Sequence, residues 1–308
     1  MQTILYIYHM KFFFFILVFF VIFGGFNSQI FTNESGEILT DEPFFNEKLI
    51  RSVKLKALFG IVSSKKELGA IQSTGKKQSY IFNEKGNLVI QYNSKRVKKR
   101  VDTSFIFYEY NPENNLTLKR YSDSYGFYSY SYKYNNKGLV NEQVYSREKN
   151  ISKSKLNFKL GQQYVIFKEG YTYNISDTVI GKTILNSNGR PYQENIIYFD
   201  QLGYKKRTTT RLLINNKIQK ELFSYNEKGF LKAVEYYKGI SEKPYKTLKY
   251  DYDEWGNVTF IDEYKNEERI IHKEILYDPS TLLLKTILSQ DLITNLITII
   301  KFKPEFYN

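Results

Sequence analysis

The chain has 308 residues, enough for one or two domains with a sizeable buried core, and its 17% aromatic content excludes a disordered polymer. It contains no cysteine, which excludes disulfides, thiol catalysis and zinc–thiolate sites. A formal net charge of +13 favours polyanionic neighbours and says nothing about the fold. With 28 Tyr and 24 Phe against 6 Pro, the composition predicts an ordered all-β protein.

The N-terminus has the form of a secretory signal peptide. Lys11 is followed by the apolar run 12–23 and then by small or polar residues, which places the true start at Met10 and cleavage near Ser28. Because the run is shorter than the ~20 residues that span a bilayer, we expect residues 1–28 to be removed rather than to anchor the chain. The predicted location is the periplasm, the outer surface or the medium, with no stable transmembrane segment in the mature chain and no nucleic-acid partner.

A short turn motif recurs along the rest of the chain: an apolar residue, Asn or Asp, two variable positions and Gly. The Asn or Asp side chain accepts the backbone N–H two residues on, and the Gly adopts the left-handed conformation that closes a type I turn with a bulge. The motif therefore predicts β-hairpins. The predicted turn-defining residues are Asn83, Gly86, Asn135, Gly138, Asn186, Gly189, Asp200, Gly203, Asn226, Gly229, Asp253 and Gly256.

The turns also predict the register of each hairpin. Counting outward from the first turn pairs Phe82 with Leu88 and Tyr80 with Ile90, and other copies likewise set aromatic residues opposite aliphatic ones. Within residues 128–134 every second residue is a tyrosine, at the same positions before the turn as in the other hairpins. This ladder is therefore either a binding platform or the strongest copy of a buried hairpin face. Its repetition in other hairpins favours the buried face.

The turn glycines recur at intervals of about 26 residues or near multiples of it, with the Gly203 turn as an extra hairpin. A period of this length predicts a repeat domain over residues 80–308, preceded by an N-terminal cap or entry segment at 29–79. About eight two-stranded units in one sheet would accumulate a strong twist. The predicted fold class is all-β, an array of antiparallel β-hairpin repeats that forms an elongated, strongly twisted or curled sheet.

The segment YDYDEWGNVTFIDEY resembles the Tyr-Asp repeats of the RHS/YD-repeat family. Tyr252, Asp253, Gly256 and Tyr264 carry the resemblance, and YNEKGFLKAVEYY and FNEKGNLVIQY are weaker copies in which Asn replaces Asp. The resemblance implies long β-hairpin sheets in surface or secreted proteins. It also implies a short exported relative made of the repeat alone, without an encapsulated toxin domain.

Candidates for acid–base chemistry are few. Asp251, Asp253 and Glu254 form the densest acidic cluster, but Asp253 is already predicted to cap a turn, and a calcium loop would need an oxygen ligand where Trp255 stands. His272 has no identifiable partner in the sequence. We therefore predict no catalytic residue, no metal site and no cofactor.

Basic side chains cluster in the run 94–100. They could bind phosphate or an acidic sugar, although basic residues also keep exposed strand edges from pairing with other chains. The candidate polyanion-binding residues are Lys95, Arg96, Lys98, Lys99 and Arg100.

Together these features favour an exported, non-enzymatic β-repeat protein that acts as a structural or protein-interaction module of the bacterial envelope. The alternative is a protein that binds a glycan or polyanion through aromatic faces and basic edges. The expected partner is accordingly an envelope protein or a surface glycan.

Overall fold

The computed structural model describes residues 29–66, 68–97 and 100–308. The predicted signal peptide, Lys98 and Lys99 lie outside the described residues. Within those ranges the chain forms a short helix and 18 strands of one antiparallel sheet. The elements are α1 (Glu47–Ser52), β1 (Leu55–Lys66), β2 (Gln72–Phe82), β3 (Leu88–Val97), β4 (Arg100–Tyr110), β5 (Leu116–Ser122), β6 (Gly126–Tyr134), β7 (Val140–Asn150), β8 (Leu160–Ile175), β9 (Val179–Leu185), β10 (Pro191–Phe199), β11 (Lys205–Leu212), β12 (Ile218–Tyr225), β13 (Leu231–Lys238), β14 (Lys246–Tyr252), β15 (Val258–Lys265), β16 (Glu268–Tyr277), β17 (Leu284–Asp291) and β18 (Leu296–Phe306).

The strands close into a ring. Each pairs with its neighbours in sequence, and β1 pairs with both β2 and β18, so the sheet has no terminal strand. The all-β hairpin prediction is confirmed, but the elongated, twisted or curled sheet is wrong, because the sheet closes into an 18-stranded barrel. Closure supplies hydrogen-bond partners to the two strands that an open sheet would leave unpaired, and no local sequence pattern encodes that pairing.

The two ends of the barrel carry different turns. Connections from an even-numbered strand to the next strand lie at one end, here called the turn end, and connections from an odd-numbered strand lie at the opposite, far end. The turn of Asn186 and Gly189 joins β9 to β10 at the far end, whereas the other predicted turns lie at the turn end. The Gly203 turn thus belongs to the regular series and the Gly189 turn is the extra one, which corrects the predicted period.

Hydrogen bonds explain why each turn needs its Asn or Asp. Asp253 Oδ1 accepts the backbone N–H of Trp255 at 3.0 Å and of Asn257 at 2.8 Å. An equivalent pair of bonds forms at each of the five other predicted turns. The six turn glycines have φ between 72° and 91°, a region that strains other residues.

A bulge corrects the predicted register beyond the first pair. Phe82 lies opposite Leu88 as predicted, but Ile81 then lies opposite Ile90, and Tyr80 opposite Gln91. The shift recurs at the turns after β12 and β14. The extra residue of a bulge adds one position on the second strand, so a simple outward count fails after the first pair.

Five tyrosines that precede turns share one further hydrogen bond. Each lies at the end of an even-numbered strand, and its hydroxyl donates to the backbone carbonyl of the first residue of the preceding strand, at 2.6–3.0 Å. These bonds tie consecutive hairpins together and favour Tyr over Phe at this slot. The pairs are Tyr110 with Leu88, Tyr134 with Leu116, Tyr225 with Lys205, Tyr252 with Leu231 and Tyr277 with Val258.

Residues 29–53, here called the inner segment, lie inside the ring at the turn end. The hydroxyl of Tyr108 on β4 donates to the carbonyl of Asp41 at 2.8 Å, while the hydroxyl of Tyr250 on β14 donates to the carbonyl of Gly36 at 3.0 Å. Because β4 and β14 stand on opposite sides of the ring, a segment that contacts both lies within it. An 18-stranded barrel is too wide for the side chains of its wall to fill, and the inner segment occupies part of that space.

The main core lies between the inner segment and the wall. Ile30, Phe44 and Ile50 are almost completely buried, and they pack in one cluster with wall residues such as Tyr80 and Phe82. The predicted cap at 29–79 therefore divides into the inner segment, β1 and most of β2. Its boundary with the predicted 80–308 domain falls within β2, so both regions share one sheet.

A second apolar cluster lies on the outer face of the barrel. Phe107 and Phe127 contact Phe158, from the loop between β7 and β8, with ring centroids 5.0 and 4.7 Å away. Arg120 lies over Phe158 and forms a buried ion pair with Glu148 at 2.6 Å. This loop therefore folds down over the outer face of β4 to β7.

The tyrosine ladder lines the inner face of β6. Tyr128 stacks on Tyr121 of β5 with centroids 4.8 Å apart, and Tyr130 packs against Tyr145 of β7 at 5.1 Å. The ladder residues are half-buried, because the inner segment reaches only part of this wall. Within the part of the chain that the structure describes, no helix is both long enough and apolar enough to cross a membrane.

Candidate binding cleft

A cleft of about 930 Å³ lies at the turn end between the inner segment and the wall formed by β10 to β14. Its volume falls within the range of ~300–1,000 Å³ that is typical of pockets for small ligands. The inner segment forms one side, and strand ends and turns form the other. The cleft exists because the inner segment packs tightly against β1 to β5 and β13 to β17 but less tightly against β10 and β11.

Aromatic rings dominate the wall side of the cleft. Tyr204 and Tyr225 have ring centroids 4.8 Å apart, and Phe230 stacks on Tyr252 at 5.0 Å with an interplanar angle of 23°. Phe199 adds a fifth ring. Rings of this kind supply flat apolar faces with little conformational freedom to lose, and the tyrosine hydroxyls add hydrogen-bonding edges.

Two turn glycines allow these rings to approach the backbone closely. A Cβ atom at Gly229 would lie 2.3 Å from the hydroxyl of Tyr204, and one at Gly256 would lie 2.5 Å from the ring of Phe230 and 2.3 Å from Nε2 of Gln29. These positions therefore need glycine both for a positive φ and for space. The repeat turn thus shapes the cleft as well as the hairpin.

Polar groups lie on the inner-segment side. Asn33 Nδ2 donates to the Tyr252 hydroxyl at 2.9 Å, while Asn33 Oδ1 is buried and has no hydrogen-bond partner among the described residues. That oxygen has almost no solvent-accessible surface, so it is a buried unsatisfied acceptor rather than part of the exposed lining. The charged lining consists of Glu34, Glu47, Lys48 and Lys205. Its charges balance, although the whole chain carries +13.

Lys205 is the most constrained of these charges. Its Nζ lies 4.3 Å from the centre of the Phe223 ring and 3.5 Å from Oγ of Ser35. Burial lowers the pKa of this amine, and the carboxylate of Glu221 opposes the shift. Burial also raises the pKa of the Tyr252 phenol to about 12, so the hydroxyl stays neutral and keeps the hydrogen bond that it donates to the carbonyl of Leu231.

The residues considered for acid–base chemistry, for which no catalytic role was predicted, lie outside the cleft lining. Asp253 binds the backbone of its own turn and also accepts from Nδ2 of Asn257 at 3.1 Å. His272 contacts Asp262 through Nδ1 at 2.7 Å and stacks on Phe260. Across residues 29–66, 68–97 and 100–308, no three His, Cys, Asp or Glu side chains are grouped to hold a metal ion.

Of the predicted polyanion-binding residues, Lys95, Arg96 and Arg100 are described by the structure, and they lie far from the cleft in the fold. Lys95 and Arg96 come just before the last residue of β3 and Arg100 begins β4, which places them at the far end of the barrel. The structure therefore does not bring them together with Lys48 or Lys205. Of the predicted turn-defining residues, Gly203 and Gly229 line the cleft.

Sequence reasoning missed the aromatic residues that follow these two glycines. Tyr204 comes directly after Gly203 and Phe230 directly after Gly229, whereas the other predicted turns carry Asn, Leu or Arg at that position. An aromatic residue directly after the turn glycine is therefore the sequence feature that could have identified this side of the cleft. Asn33 carried no such signal, because nothing in residues 29–53 indicates that they enter a barrel.

Comparisons with known proteins give weak likenesses. No family model matches the chain, and no curated protein matches it. Among solved structures it is similar to a porin-like protein from Bacteroides uniformis, at 12% identity over 82% of this chain and 97% of that chain, with a TM-score of 0.38. A porin-like protein from Bacteroides vulgatus matches at 13% identity over 69% of this chain and 96% of that chain, with a TM-score of 0.30.

A third similar structure is that of TcdB2-TccC3 without its hypervariable C-terminal region. The identity is 12% over 70% of this chain and 14% of that chain, with a TM-score of 0.22. Because all these TM-scores are low, we draw the function from the residues of this chain alone.

Proposed function

We propose that the chain is an exported, non-enzymatic binding module of the bacterial envelope that takes a neutral glycan in the cleft. The aromatic wall formed by Tyr204, Tyr225, Phe230 and Tyr252 is the observation that carries the proposal. Sugar rings present apolar C–H faces that pack on such rings, and their hydroxyls match exposed polar side chains on the inner-segment side, such as Glu34 and Lys48.

The composition leaves open two classes of ligand, a neutral glycan and a polyanion, and the charges that line the cleft decide between them. A polyanion site would need an excess of basic side chains at the site itself, because phosphate or carboxylate groups must be neutralised locally. The cleft instead carries two carboxylates and two ammonium groups. The balance favours a neutral sugar in the cleft and leaves the net positive charge to the remaining surface.

Two other parts of the proposal, export and a non-enzymatic role, are supported by observations outside the cleft. The signal-peptide form of residues 1–28 supports export. The hydrogen bonds of Asp253 to its own turn support a binding role, because they give the leading acidic candidate a structural task.

A glycan array followed by calorimetry with the best neutral oligosaccharide tests the proposal. We expect Tyr204→Ala to weaken binding by about tenfold or more, because the substitution removes one face of the wall. The matched control is Tyr125→Ala, since Tyr125 is 83% exposed at the far end. Thermal melting of both variants monitors folding.

Three results would contradict a neutral-glycan cleft. The first is binding only to sulfated or phosphorylated polymers, which would place the binding site on the basic surface outside the cleft. The second is an equal loss of affinity in the two variants. The third is no binding to any neutral glycan on the array.

A further inference from the structure

One stretch of the barrel rim is paired on a single side. β8 pairs with β7 over residues 160–170, from Leu160 opposite Asn150 to Gly170 opposite Glu142, but it pairs with β9 only over Gly170–Ile175. Among the described residues, no strand pairs with the other side of residues 160–169. At ~3.4 Å per residue this free edge is roughly 30 Å long.

The end of the β8 and β9 ladder is well defined. The backbone N–H of Lys168 donates to Oγ of Ser187 at 3.0 Å, and this hydroxyl donates to the carbonyl of Lys168 at 3.1 Å. Ser187 lies in the turn between β9 and β10, so its side chain satisfies the backbone where β9 turns back. Between Lys168 and Leu160, no side chain of a described residue caps the edge in this way.

The free edge is exposed and apolar at its centre. Tyr164, Val165 and Ile166 are each more than half exposed, and Leu160 and Phe167 are each 38% exposed. Natural sheets protect long edges with proline, inward-pointing charges or covering loops, and residues 161–167 contain neither proline nor charge. This stretch therefore has the properties of a template for an additional strand.

The ends of the edge are positively charged. Lys159 precedes it, and Lys168 and Arg190 lie at its other end, all with exposed side chains. The nearby carboxylates are engaged, since Glu148 pairs with Arg120 and Glu169 accepts from two tyrosine hydroxyls. The surface thus combines an apolar centre with cationic ends.

We propose that residues 160–167 bind an extended segment of a partner protein, apolar at its centre and acidic at its ends, as an added antiparallel strand. Backbone hydrogen bonds along the edge supply affinity, and the cationic ends select the partner. A second copy of this chain fits less well, because antiparallel pairing of two such edges sets Lys159 near Lys168 of the other copy. Like charges opposite each other destabilise a strand pair.

The test uses the purified full chain and a fluorescein-labelled peptide of alternating valine and threonine with glutamate at both ends. Fluorescence anisotropy should show saturable binding that weakens as salt is raised. The Val165→Asn/Ile166→Asn double variant should lose about tenfold or more in affinity, because it removes the apolar cross-strand contacts. Ile240→Asn is the matched control, since Ile240 is 96% exposed on the loop between β13 and β14.

Two further peptides separate edge pairing from simple charge attraction. A peptide methylated at alternate backbone amides should bind at least about tenfold more weakly, and so should a peptide with lysine at both ends. Equal binding of all three peptides, no binding of the first, or equal losses in the double variant and Ile240→Asn would overturn the proposal. Sedimentation showing a dimer that dissociates in the double variant would assign the edge to self-association instead.

Discussion

At the residue scale, the tyrosine before each turn has a role that its apolar character alone does not explain. The Tyr134 hydroxyl donates to the carbonyl of Leu116 at 2.6 Å, and four other tyrosines make the equivalent bond. Phe82 and Phe199 occupy the same slot without a hydroxyl. The ring therefore suffices for packing, and the hydroxyl adds a link between consecutive hairpins.

Tyr134→Phe tests this link, because it removes the hydroxyl and keeps the ring. We expect the free energy of unfolding to fall by about 1 kcal/mol, the net value of a typical hydrogen bond whose partner is left unsatisfied. Urea denaturation measures the change. Tyr125→Phe is the control, since that residue is 83% exposed, and similar small changes in both variants would show that the bond contributes nothing to stability.

At the element scale, the inner segment is held by polar groups from several strands as well as by its apolar core. Glu42 pairs with Lys119 of β5, whose side chain is only 6% exposed, and the Tyr121 hydroxyl donates to Asp41 Oδ2 at 2.6 Å. A buried ammonium group needs a counter-charge, because water cannot solvate it. The Glu42 pair is therefore a specific anchor for the segment.

Glu42→Gln removes that counter-charge with little change in volume. We expect a loss of about 1–3 kcal/mol in the free energy of unfolding, the cost of leaving a buried charged donor poorly paired. Glu305→Gln is the matched control, since Glu305 and Lys56 form a pair whose side chains are each 45% exposed. The control should change by less than about 0.5 kcal/mol. A control loss as large as that of Glu42→Gln would contradict the buried anchor.

At the scale of the whole molecule, the buried tyrosines couple stability to alkaline pH. Burial raises the pKa of Tyr236 and Tyr252 to about 12, and it raises those of Tyr80, Tyr108 and Tyr250 further. An unfolded phenol titrates near 10.0, so the unfolded chain releases protons that the folded chain retains. The stability that these phenols contribute is complete below pH 10 and is lost as pH rises through their folded pKa values.

Urea denaturation at intervals between about pH 8 and pH 12 measures this loss. We expect the midpoint to stay level up to about pH 9 and then to fall. The Tyr236→Phe/Tyr252→Phe double variant should fall less steeply, because two of the coupled groups are gone. A midpoint independent of pH, or identical slopes for the two proteins, would rule out this linkage.

The sequence by itself determined the hairpins and their turns. An Asn or Asp and a Gly three residues later specify a turn through bonds within five residues, as the Asp253 turn illustrates. Two-residue alternation then determined which side chains share a face. These are local properties, so they can be predicted from a short stretch of chain without knowing its neighbours.

The tertiary structure alone decided closure, the inner segment and the cleft. The pairing of β1 with β18 joins Leu58 to Pro304, and the core joins Phe44 to Tyr80, although no periodic pattern relates these residues. A wide ring leaves space that its wall cannot fill, and the segment that enters it determines where a cleft remains. The physical reason is that each hairpin is specified by contacts within it, whereas the number of strands that close, and what lies inside them, depends on the whole sheet.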